Sequence, residues 1–418
     1  MTLKPPPLKN DCFALPAGVN WTPVDTALAL LKERLHPVTG IETVVLAHAL
    51  GRVLAEDVVA QRANPPLPNS AVDGYGFAGG LADGEHVIPL MQGRAAAGLA
   101  FEGEVSAGQA IRILTGASLP KGVDTVILEE DVTTDGQAIA CRGPLKTGAN
   151  ARRAGEDVEA DEVILTAGQK LRPADLALAA ATGLSELMVR RSLRVGVLST
   201  GDELVDSGET ARPGQIFDAN RPMLLSLAAQ LGYTPVDLGR VEDDRAVLRA
   251  RMDSAAQDVD VILTSGGASA GDEDHMSALL RESGAMQEWR IAVKPGRPLA
   301  LAMWQGVPVF GLPGNPVAAF VCSLVFACPA MSVLAGGNWR APQGFQLPAG
   351  FSKKKKPGRR EYLRARIRAG QVEVFQSEGS GRISGLSWGE GLVELGDGAQ
   401  EIAPGDMVTF YPYESFGL

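Results

Sequence analysis

The chain has 418 residues, which is too long for one ordinary hydrophobic core and predicts about two to four domains. Hydrophobic residues make up 45% of it and charged residues 21%, a balance that excludes an intrinsically disordered protein. The formal net charge of −10 argues against a nucleic acid or an anionic membrane as the partner of the whole protein. Local side chains must therefore hold any anionic ligand.

Neither the cysteines nor the first residues indicate export. The four Cys include no Cys-x-x-Cys pair and form no zinc-ligand group with the four His, which fits a reducing cytoplasm. Residues 1–16, MTLKPPPLKNDCFALP, lack the apolar core of a signal peptide. Residues 317–335 are long and apolar enough to span a bilayer, but they contain Pro329 and follow a glycine-rich turn, so we predict a buried helix. We expect a cytoplasmic protein with no membrane span.

The N-terminal part of the chain carries packing signals and one polar loop. Apolar spacing predicts a helix over residues 22–35, and residues 43–54 are typical of either a helical or an extended segment. Three prolines stiffen residues 64–77, NPPLPNSAVDGYGF, ahead of Asp73. This loop either donates a carboxylate to a functional site or, as the residues alone favour, is a linker with a turn aspartate.

Residues 79–148 contain short apolar runs separated by Gly, Pro and Asp, which predict a largely β insertion. The charge then reverses sign within residues 148–158, GANARRAGEDV, where Arg152 and Arg153 suit an anionic ligand. Glu156 and Asp157 either pair with these arginines at the surface or reach a cation. Residues 173–183 predict a short helix.

The most informative stretch is residues 259–277, VDVILTSGGASAGDEDHMS. Its apolar run at 261–263 predicts a buried parallel strand, and the glycines that follow allow successive N–H groups to point at one anion. Three carboxylates at 272–274 would repel a bare phosphate, so they make sense if a divalent cation lies between them and the anion. The alternative is an ordinary strand-to-helix loop whose carboxylates cap the helix.

A second turn repeats this chemistry. In LRVGVLSTGDEL, a strand over 195–198 opens into Ser199, Thr200 and Gly201, with Glu203 close behind. Two such turns at the carboxyl ends of parallel strands would flank one ligand crevice. Between them, residues 214–233 contain a predicted helix that Asp218 or Asn220 caps and Gly232 ends.

The remaining chain supplies positive charge. A predicted strand ends at Lys294, and a Pro-Gly-Asn-Pro turn at 313–316 opens the long apolar helix. Residues 347–418 predict a small β domain. Its basic run, which includes Lys353, is typical of a solvated loop, although it could reach the same anion.

With these residues laid out, the chain resembles the MoeA family of molybdopterin molybdenumtransferases, which includes the gephyrin E domain. Eight motifs appear in the family's order and approximate spacing: PNSAVDGY, TGASLPKGVDTVI, RRAGED, LSTGDEL, GQIFDANR, TSGGASAGDEDH, KPGRP and GLPGNPVA. One of them would be weak evidence, whereas eight in sequence are very specific. The resemblance covers nearly the whole chain.

The resemblance implies a multidomain α/β fold. Its parts would be an N-terminal helical region (17–61 and 151–192), a β-rich insertion (62–150), a doubly wound molybdopterin-binding α/β domain (193–338) and a C-terminal β domain (339–418). It also implies insertion of molybdenum from molybdate into adenylylated molybdopterin, with release of AMP, by a cytoplasmic homodimer that uses Mg²⁺. Contacts with the upstream adenylyltransferase and with acceptor molybdoenzymes are further expectations.

Site residues follow from motif positions. The resemblance implies catalytic roles for Asp73, Asp157, Glu203, Asp243, Asp274 and Lys294. It implies substrate contacts for Ser199, Gly201, Gly266, Gly267, Ser269, Arg290, Pro313, Pro316, Arg364 and Ser380. Asp274 and Glu203 are the implied metal ligands, and the dimer would bring Asp73 and Asp157 to the partner's α/β domain.

The chain departs from the family pattern at two places. The usual Phe-Asp-Asn-Ser is Leu67, Pro68, Asn69 and Ser70 here, which removes a carboxylate near Asp73. Arg290 stands where lysine is common, and the two side chains hold anions in different geometries.

No Ser/His/Asp or Cys/His nucleophile set is evident in the sequence, so we expect catalysis by positioning and charge neutralisation. A molybdopterin adenylyltransferase is the rival enzyme, although the N-terminal and β regions count against it. A scaffold that retains the pterin-binding fold is the non-enzymatic alternative, and the intact carboxylates count against that.

Overall fold

The computed structural model describes residues 21–266, 275–282, 287–289, 291–296 and 299–418. The chain divides into two compact units. The larger unit comprises Met1–Glu42 and Arg190–Leu418, and the smaller unit is Thr43–Val189.

The helix predicted over 22–35 is confirmed as α1, and the ambiguous segment at 43–54 begins as a strand and continues in a 3-10 turn at Leu46–His48. The elements up to residue 190 are, in order, α1 (Val24–Arg34), β1 (Ile41–Val45), β2 (Val58–Val59), β3 (Asn69–Ser70), β4 (Gly74–Phe77), β5 (Leu81–Ala95), β6 (Ala110–Ile113), β7 (Thr125–Leu128), β8 (Val132–Thr134), β9 (Ala138–Leu145), β10 (Ala151–Arg152), β11 (Val163–Leu165), α2 (Pro173–Ala181) and β12 (Glu186–Arg190).

The smaller unit contains the predicted β insertion as one six-stranded sheet, in the order β7-β4-β6-β5-β9-β8. The chain enters and leaves this sheet along three two-stranded ladders, β1-β12, β2-β11 and β3-β10. The outgoing and returning segments therefore lie side by side. The predicted short helix is confirmed as α2, and Gly183, with φ +95°, lies just beyond its end.

The βα rhythm of the larger unit forms a second six-stranded sheet. Its elements are β13 (Arg194–Thr200), β14 (Leu204–Val205), β15 (Ile216–Phe217), α3 (Asn220–Gln230), β16 (Thr234–Val241), α4 (Arg245–Asp258), β17 (Val261–Ser265), α5 (His275–Glu282), β18 (Gln287–Trp289), β19 (Val293–Lys294), β20 (Leu299–Trp304), β21 (Val307–Leu312), α6 (Pro316–Cys322) and α7 (Cys328–Leu334).

The strand order β16-β13-β17-β21-β20-β18 confirms the doubly wound α/β prediction. The first four strands in that order are parallel, and the last two are antiparallel additions. The chain passes from β16, on one side of β13, to β17 on the other side. This reversal is a topological switch point, where such sheets bind ligands at the carboxyl ends of the strands. All five residues of β17 are buried, because helices cover both faces of the sheet.

The long apolar helix runs from Pro316 to Leu334, with a π-helical segment at Ser323–Ala327. By length and composition it could cross a membrane, but 89% of its most apolar window is buried inside the larger unit. The prediction of a buried helix is therefore confirmed. Pro329 is tolerated because it falls in the first turn of α7, directly after the π segment, where its missing N–H interrupts no regular ladder.

The C-terminal β domain is also confirmed. It comprises β22 (Phe345–Pro348), β23 (Lys353–Lys355), β24 (Arg360–Arg368), β25 (Gln371–Val374), α8 (Ser384–Trp388), β26 (Gly391–Leu395), β27 (Gln400–Ile402) and β28 (Met407–Pro412).

One prediction about basic residues is confirmed and another is wrong. The predicted strand ending at Lys294 is confirmed as β19, which pairs with β24 in the C-terminal sheet. The basic run at 353–356 was predicted as a solvated loop, but its first three residues form β23, and the side chains of Lys353 and Lys355 are buried at strand spacing.

Candidate functional site

The carboxyl ends of three parallel strands meet at one edge of the larger unit's sheet. Ser199 near the end of β13 is in register with Ser265 of β17, and Ser265 is in register with Leu312 of β21. Each strand is followed directly by a predicted site residue, which is Gly201 after β13, Gly266 after β17 and Pro313 after β21. With Ser199 and Pro316, five predicted positions therefore share this edge. The prediction that the two glycine turns follow parallel strands is confirmed, and β13 and β17 are neighbours at the switch point.

Both turns require glycine for a physical reason. Gly266 has φ +90°, and a Cβ atom there would lie 2.4 Å from the Thr200 carbonyl oxygen. Gly201 has φ +144°, and a Cβ atom there would lie 2.5 Å from a carboxylate oxygen of Glu203. The Glu203 side chain thus folds over the Gly201 backbone at an exposed position. Neither position could therefore hold a larger residue without a shift of these neighbouring atoms.

A buried amide ties two of these strand ends together. Asn220, at the start of α3, donates from Nδ2 to Ser265 Oγ at 2.6 Å and to the Gly314 carbonyl at 2.7 Å. Of the two predicted caps, Asp218 accepts a hydrogen bond from the Arg221 N–H in the first turn of α3. Asn220 instead joins the end of β17 to the turn after β21. Sequence reasoning missed that role, and the available signal was an amide on the first turn of a helix between two glycine turns.

Several buried oxygen atoms around this edge have no hydrogen-bond partner among the described residues. They are Ser199 Oγ, Thr200 Oγ1, Asn220 Oδ1, Thr264 Oγ1 and Asn315 Oδ1. Buried polar atoms are nearly always paired in native proteins. Their concentration at the ends of β13, β17 and β21 marks this edge as one suited to a polar ligand.

Part of the predicted phosphate and metal site lies outside the described residues. Gly267, Ser269, Asp274 and Arg290 belong to that part. Within the described ranges, no group of three or more His, Cys, Asp or Glu side chains could hold a metal ion. The metal site at Asp274 and Glu203 therefore stays a prediction. Asp243 follows β16, and its N–H donates to Asp202 at 3.0 Å.

A loop of the C-terminal domain reaches the same edge. The Val317 N–H, in the first turn of α6, donates to the Ser380 carbonyl at 3.3 Å. Arg364, only 4% exposed, holds this loop by donating to the carbonyls of Ser377, Gly379 and Arg382. Burial lowers the pKa of the Arg364 guanidinium. Pro316, Ser380 and Arg364, which were predicted from distant motifs, are thereby brought together.

Lys294 lies in a lysine–glutamate cluster with Lys353, Glu361 and Glu378. Its ammonium group is 2.7 Å from Glu378 Oε2 and 3.3 Å from Glu361 Oε1, and Lys353 contacts the same two carboxylates. Burial alone would raise the pKa of Glu378, but the hydrogen bonds from Lys294 and Lys353 lower it overall. An adjoining cavity of about 270 Å³ is lined by these lysines together with Tyr362, Arg364, Phe375 and Glu378.

The smaller unit joins three motif segments around Asp73. Asp73 Oδ1 accepts hydrogen bonds from the N–H and hydroxyl of Thr115, at 2.6 and 2.7 Å. The Thr115 hydroxyl and then its N–H hold the pKa of this exposed carboxyl below its usual value of 3.8. The β3-β10 ladder aligns the PNSAVDGY and RRAGED segments. Asp157, also exposed, accepts a hydrogen bond from Asn64 Nδ2 at 2.9 Å.

Three family models match the chain in succession. They are the MoeA N-terminal region, domains I and II (residues 22–183), the probable molybdopterin binding domain (196–332) and the MoeA C-terminal region, domain IV (346–413).

Full-length relatives agree. The chain is 36% identical over 399 residues to the molybdopterin molybdenumtransferase of Haemophilus influenzae, covering 93% of this chain and 98% of the relative. It is 35% identical over 386 residues to molybdopterin molybdenumtransferase 2 of Mycobacterium tuberculosis, covering 88% and 94%. A crystal structure of the molybdopterin biosynthesis moeA protein from Pyrococcus horikoshii OT3 superposes with a TM-score of 0.82 at 28% identity, covering 94% of this chain and 100% of that one.

Proposed function

Because the chain belongs to the MoeA family of molybdopterin molybdenumtransferases, we propose that it inserts molybdenum from molybdate into adenylylated molybdopterin, releasing AMP and forming the molybdenum cofactor. One observation carries this proposal in the structure. The Gly201 and Gly266 turns meet at the switch point, and the C-terminal loop at Ser380 reaches the same edge. A phosphate-linked substrate needs the glycine turns, and an oxyanion co-substrate benefits from the cations near the Ser380 loop.

The side chains would act by positioning and charge neutralisation. Gly201 and Gly266 leave the backbone accessible to a phosphate group. Lys294 and Arg364 bring positive charge to a protein whose net charge is −10. Asn220 keeps the ends of β17 and β21 in fixed relation, so that Gly266 and the turn at Gly314 face one ligand.

We propose magnesium as the cation, held by Glu203 and Asp274, because carboxylate oxygens are hard ligands that suit it. Bound there, magnesium would supply charge neutralisation for the phosphates. Of these two residues the structure describes Glu203, whose exposed carboxylate lies beside Gly201 and offers the oxygen ligands that such a cation would need.

We further propose a cytoplasmic homodimer, in which Asp73 and Asp157 serve the partner's crevice. Exchange with an upstream adenylyltransferase and with acceptor molybdoenzymes belongs to the same proposal. The two hydrogen bonds from Thr115 support this role of Asp73, because they fix the orientation of its exposed carboxylate.

The test is release of AMP from adenylylated molybdopterin by the full-length protein, with and without molybdate and Mg²⁺. We expect release that depends on both, with metal-loaded pterin as the product. Asp73→Asn should abolish most of it, while Asp83→Asn, at an exposed position in the same unit, should not. Tight binding without turnover would instead support a scaffold, and formation of the adenylylated pterin from ATP would support an adenylyltransferase.

A further inference from the structure

The two carboxylates of the lysine–glutamate cluster are not equivalent. The Glu361 side chain is 9% exposed and projects from β24 in the C-terminal sheet. The Glu378 side chain is 48% exposed and projects from the loop that follows β25. Glu378 makes the shorter contact with each lysine, but solvent screens its attraction and can hydrate its carboxylate once it leaves. Displacing Glu378 into water therefore costs less than displacing the buried Glu361.

Glu378 also occupies a distinctive position. One of its carboxylate oxygens contacts the Lys294 ammonium group at 2.7 Å, and the other contacts that of Lys353. The Lys294 side chain is 26% exposed and that of Lys353 only 9%. Glu378 is thus more exposed than either of the ammonium groups that it neutralises, and it lines the adjoining cavity with them.

The charges that remain without Glu378 suit a dianion. Arg364 lines the same cavity as the two lysines, and its guanidinium donates to loop carbonyls and not to a carboxylate among the described residues. Three cations against the single carboxylate of Glu361 would leave two positive charges around the cavity. A doubly charged tetrahedral oxyanion would neutralise both, whereas a singly charged anion would leave one.

We infer that Glu378 is a built-in competitor of the oxyanion substrate, occupying the position between Lys294 and Lys353 that the oxyanion takes when it enters. Glu378 therefore sets the affinity and the charge selectivity of this cavity. The inference rests on the proposed function in one respect, the identity of the oxyanion as molybdate. The competition itself needs only a dianion of that shape.

Isothermal titration calorimetry of the full-length protein with sodium molybdate tests the competition. Glu378→Gln keeps the size of the side chain and removes its charge, and we expect it to bind molybdate about tenfold more tightly than the wild type, because charge-assisted hydrogen bonds no longer have to be displaced. Glu401→Gln is the matched control, since Glu401 forms an exposed pair with Lys354 at 3.7 Å in the same domain. It should bind molybdate as the wild type does.

Equal or weaker molybdate binding by Glu378→Gln would overturn the inference, because Glu378 would then be a support for the cavity. Glu378→Ala gives an independent check and should also bind more tightly than the wild type. Nitrate is the charge probe, and its affinity should rise by a smaller factor than that of molybdate. An equal rise would refute the charge selectivity.

AMP release by the wild type, measured separately, keeps the two proposals distinguishable. Molybdate-dependent release together with unchanged molybdate binding by Glu378→Gln would refute the competitor role and leave the enzyme function standing. Tighter binding by the variant without any release by the wild type would refute the enzyme function and support the competitor role.

Discussion

The amide of Asn220 offers a quantitative test of how the candidate site is built. Asn220→Ala removes both hydrogen bonds that join the end of β17 to the turn after β21. Each such bond contributes about 1 kcal/mol net, and a buried partner left unpaired costs about 1–3 kcal/mol. Ser265 is 2% exposed and would be left unpaired, whereas Gly314 is exposed, so water can replace the lost donor there. We therefore expect the variant to lose about 2–4 kcal/mol of stability.

Chemical denaturation followed by tryptophan fluorescence measures this loss. Ser265→Ala removes only one of the two bonds and should cost about 1 kcal/mol. Because both substitutions break the same bond, the double variant should be less destabilised than the sum of the two single variants by about 1 kcal/mol. A loss below about 0.5 kcal/mol for Asn220→Ala, or strict additivity with Ser265→Ala, would refute the proposed tie between the strand ends.

Three further predictions concern the turn at Gly266, the buried carboxylate of Asp260 and the C-terminal loop at 377–382. Gly266→Ala places a Cβ atom 2.4 Å from the Thr200 carbonyl oxygen, so we expect a loss of about 2–4 kcal/mol in thermal denaturation and a large fall in AMP release. Asp260 accepts hydrogen bonds from Arg191 and Arg194. Burial raises the pKa of the Asp260 carboxyl, but these hydrogen bonds lower it by more, to below its usual 3.8. The ionised Asp260 therefore stabilises the fold fully above pH 3.8, and this stabilisation is lost as the pH falls through the folded-state pKa. We expect Asp260→Asn to lower the free energy of unfolding in urea by about 1–3 kcal/mol at pH 7 and by progressively less below about pH 4. Arg364→Lys cannot reach three carbonyls at once, and we expect it to release the 377–382 loop and weaken molybdate binding in calorimetry.

Matched variants separate these effects from general damage. Gly239→Ala tests a positive φ, +77°, without a nearby atom, and should cost less than Gly266→Ala. Asp258→Asn is an exposed neighbour of Asp260 and should leave the pH dependence unchanged. Arg366→Lys alters an arginine of the same strand that pairs with Glu373 and should leave molybdate binding intact. A reversal in any of these pairs would contradict the corresponding prediction.

Local patterns in the sequence were sufficient for the elements. The unbroken apolar run of β17 indicated a strand buried on both faces, and the residues that end it indicated the tight turn now seen at Gly266. The length of the 316–334 helix was also readable, and its proline and preceding turn correctly favoured a buried position. These inferences succeeded because backbone conformation and burial of regular elements follow mainly from side chains that are neighbours in sequence.

The environment of individual charged groups could not be read in this way. Lys294 was predicted as a cation available to an anion, yet it contacts Glu361 and Glu378, which are 67 and 84 residues away in sequence. The basic run at 353–356 looked solvated, yet Lys355 is 3% exposed and donates to backbone carbonyls. Coulombic and hydrogen-bond partners depend on distances in space, and sequence spacing carries no information about these.

The sequence by itself therefore determined the order of the elements, the glycine turns and the family motifs that identify the chain. Only the tertiary structure decided that β19 joins the C-terminal sheet, that Asn220 ties two strand ends, and that Glu378 lies between two lysines. The physical reason is the range of the interactions. Conformational preference and hydrophobic periodicity act over a few residues, whereas strand pairing and charge pairing join segments that only the fold brings within a few ångströms.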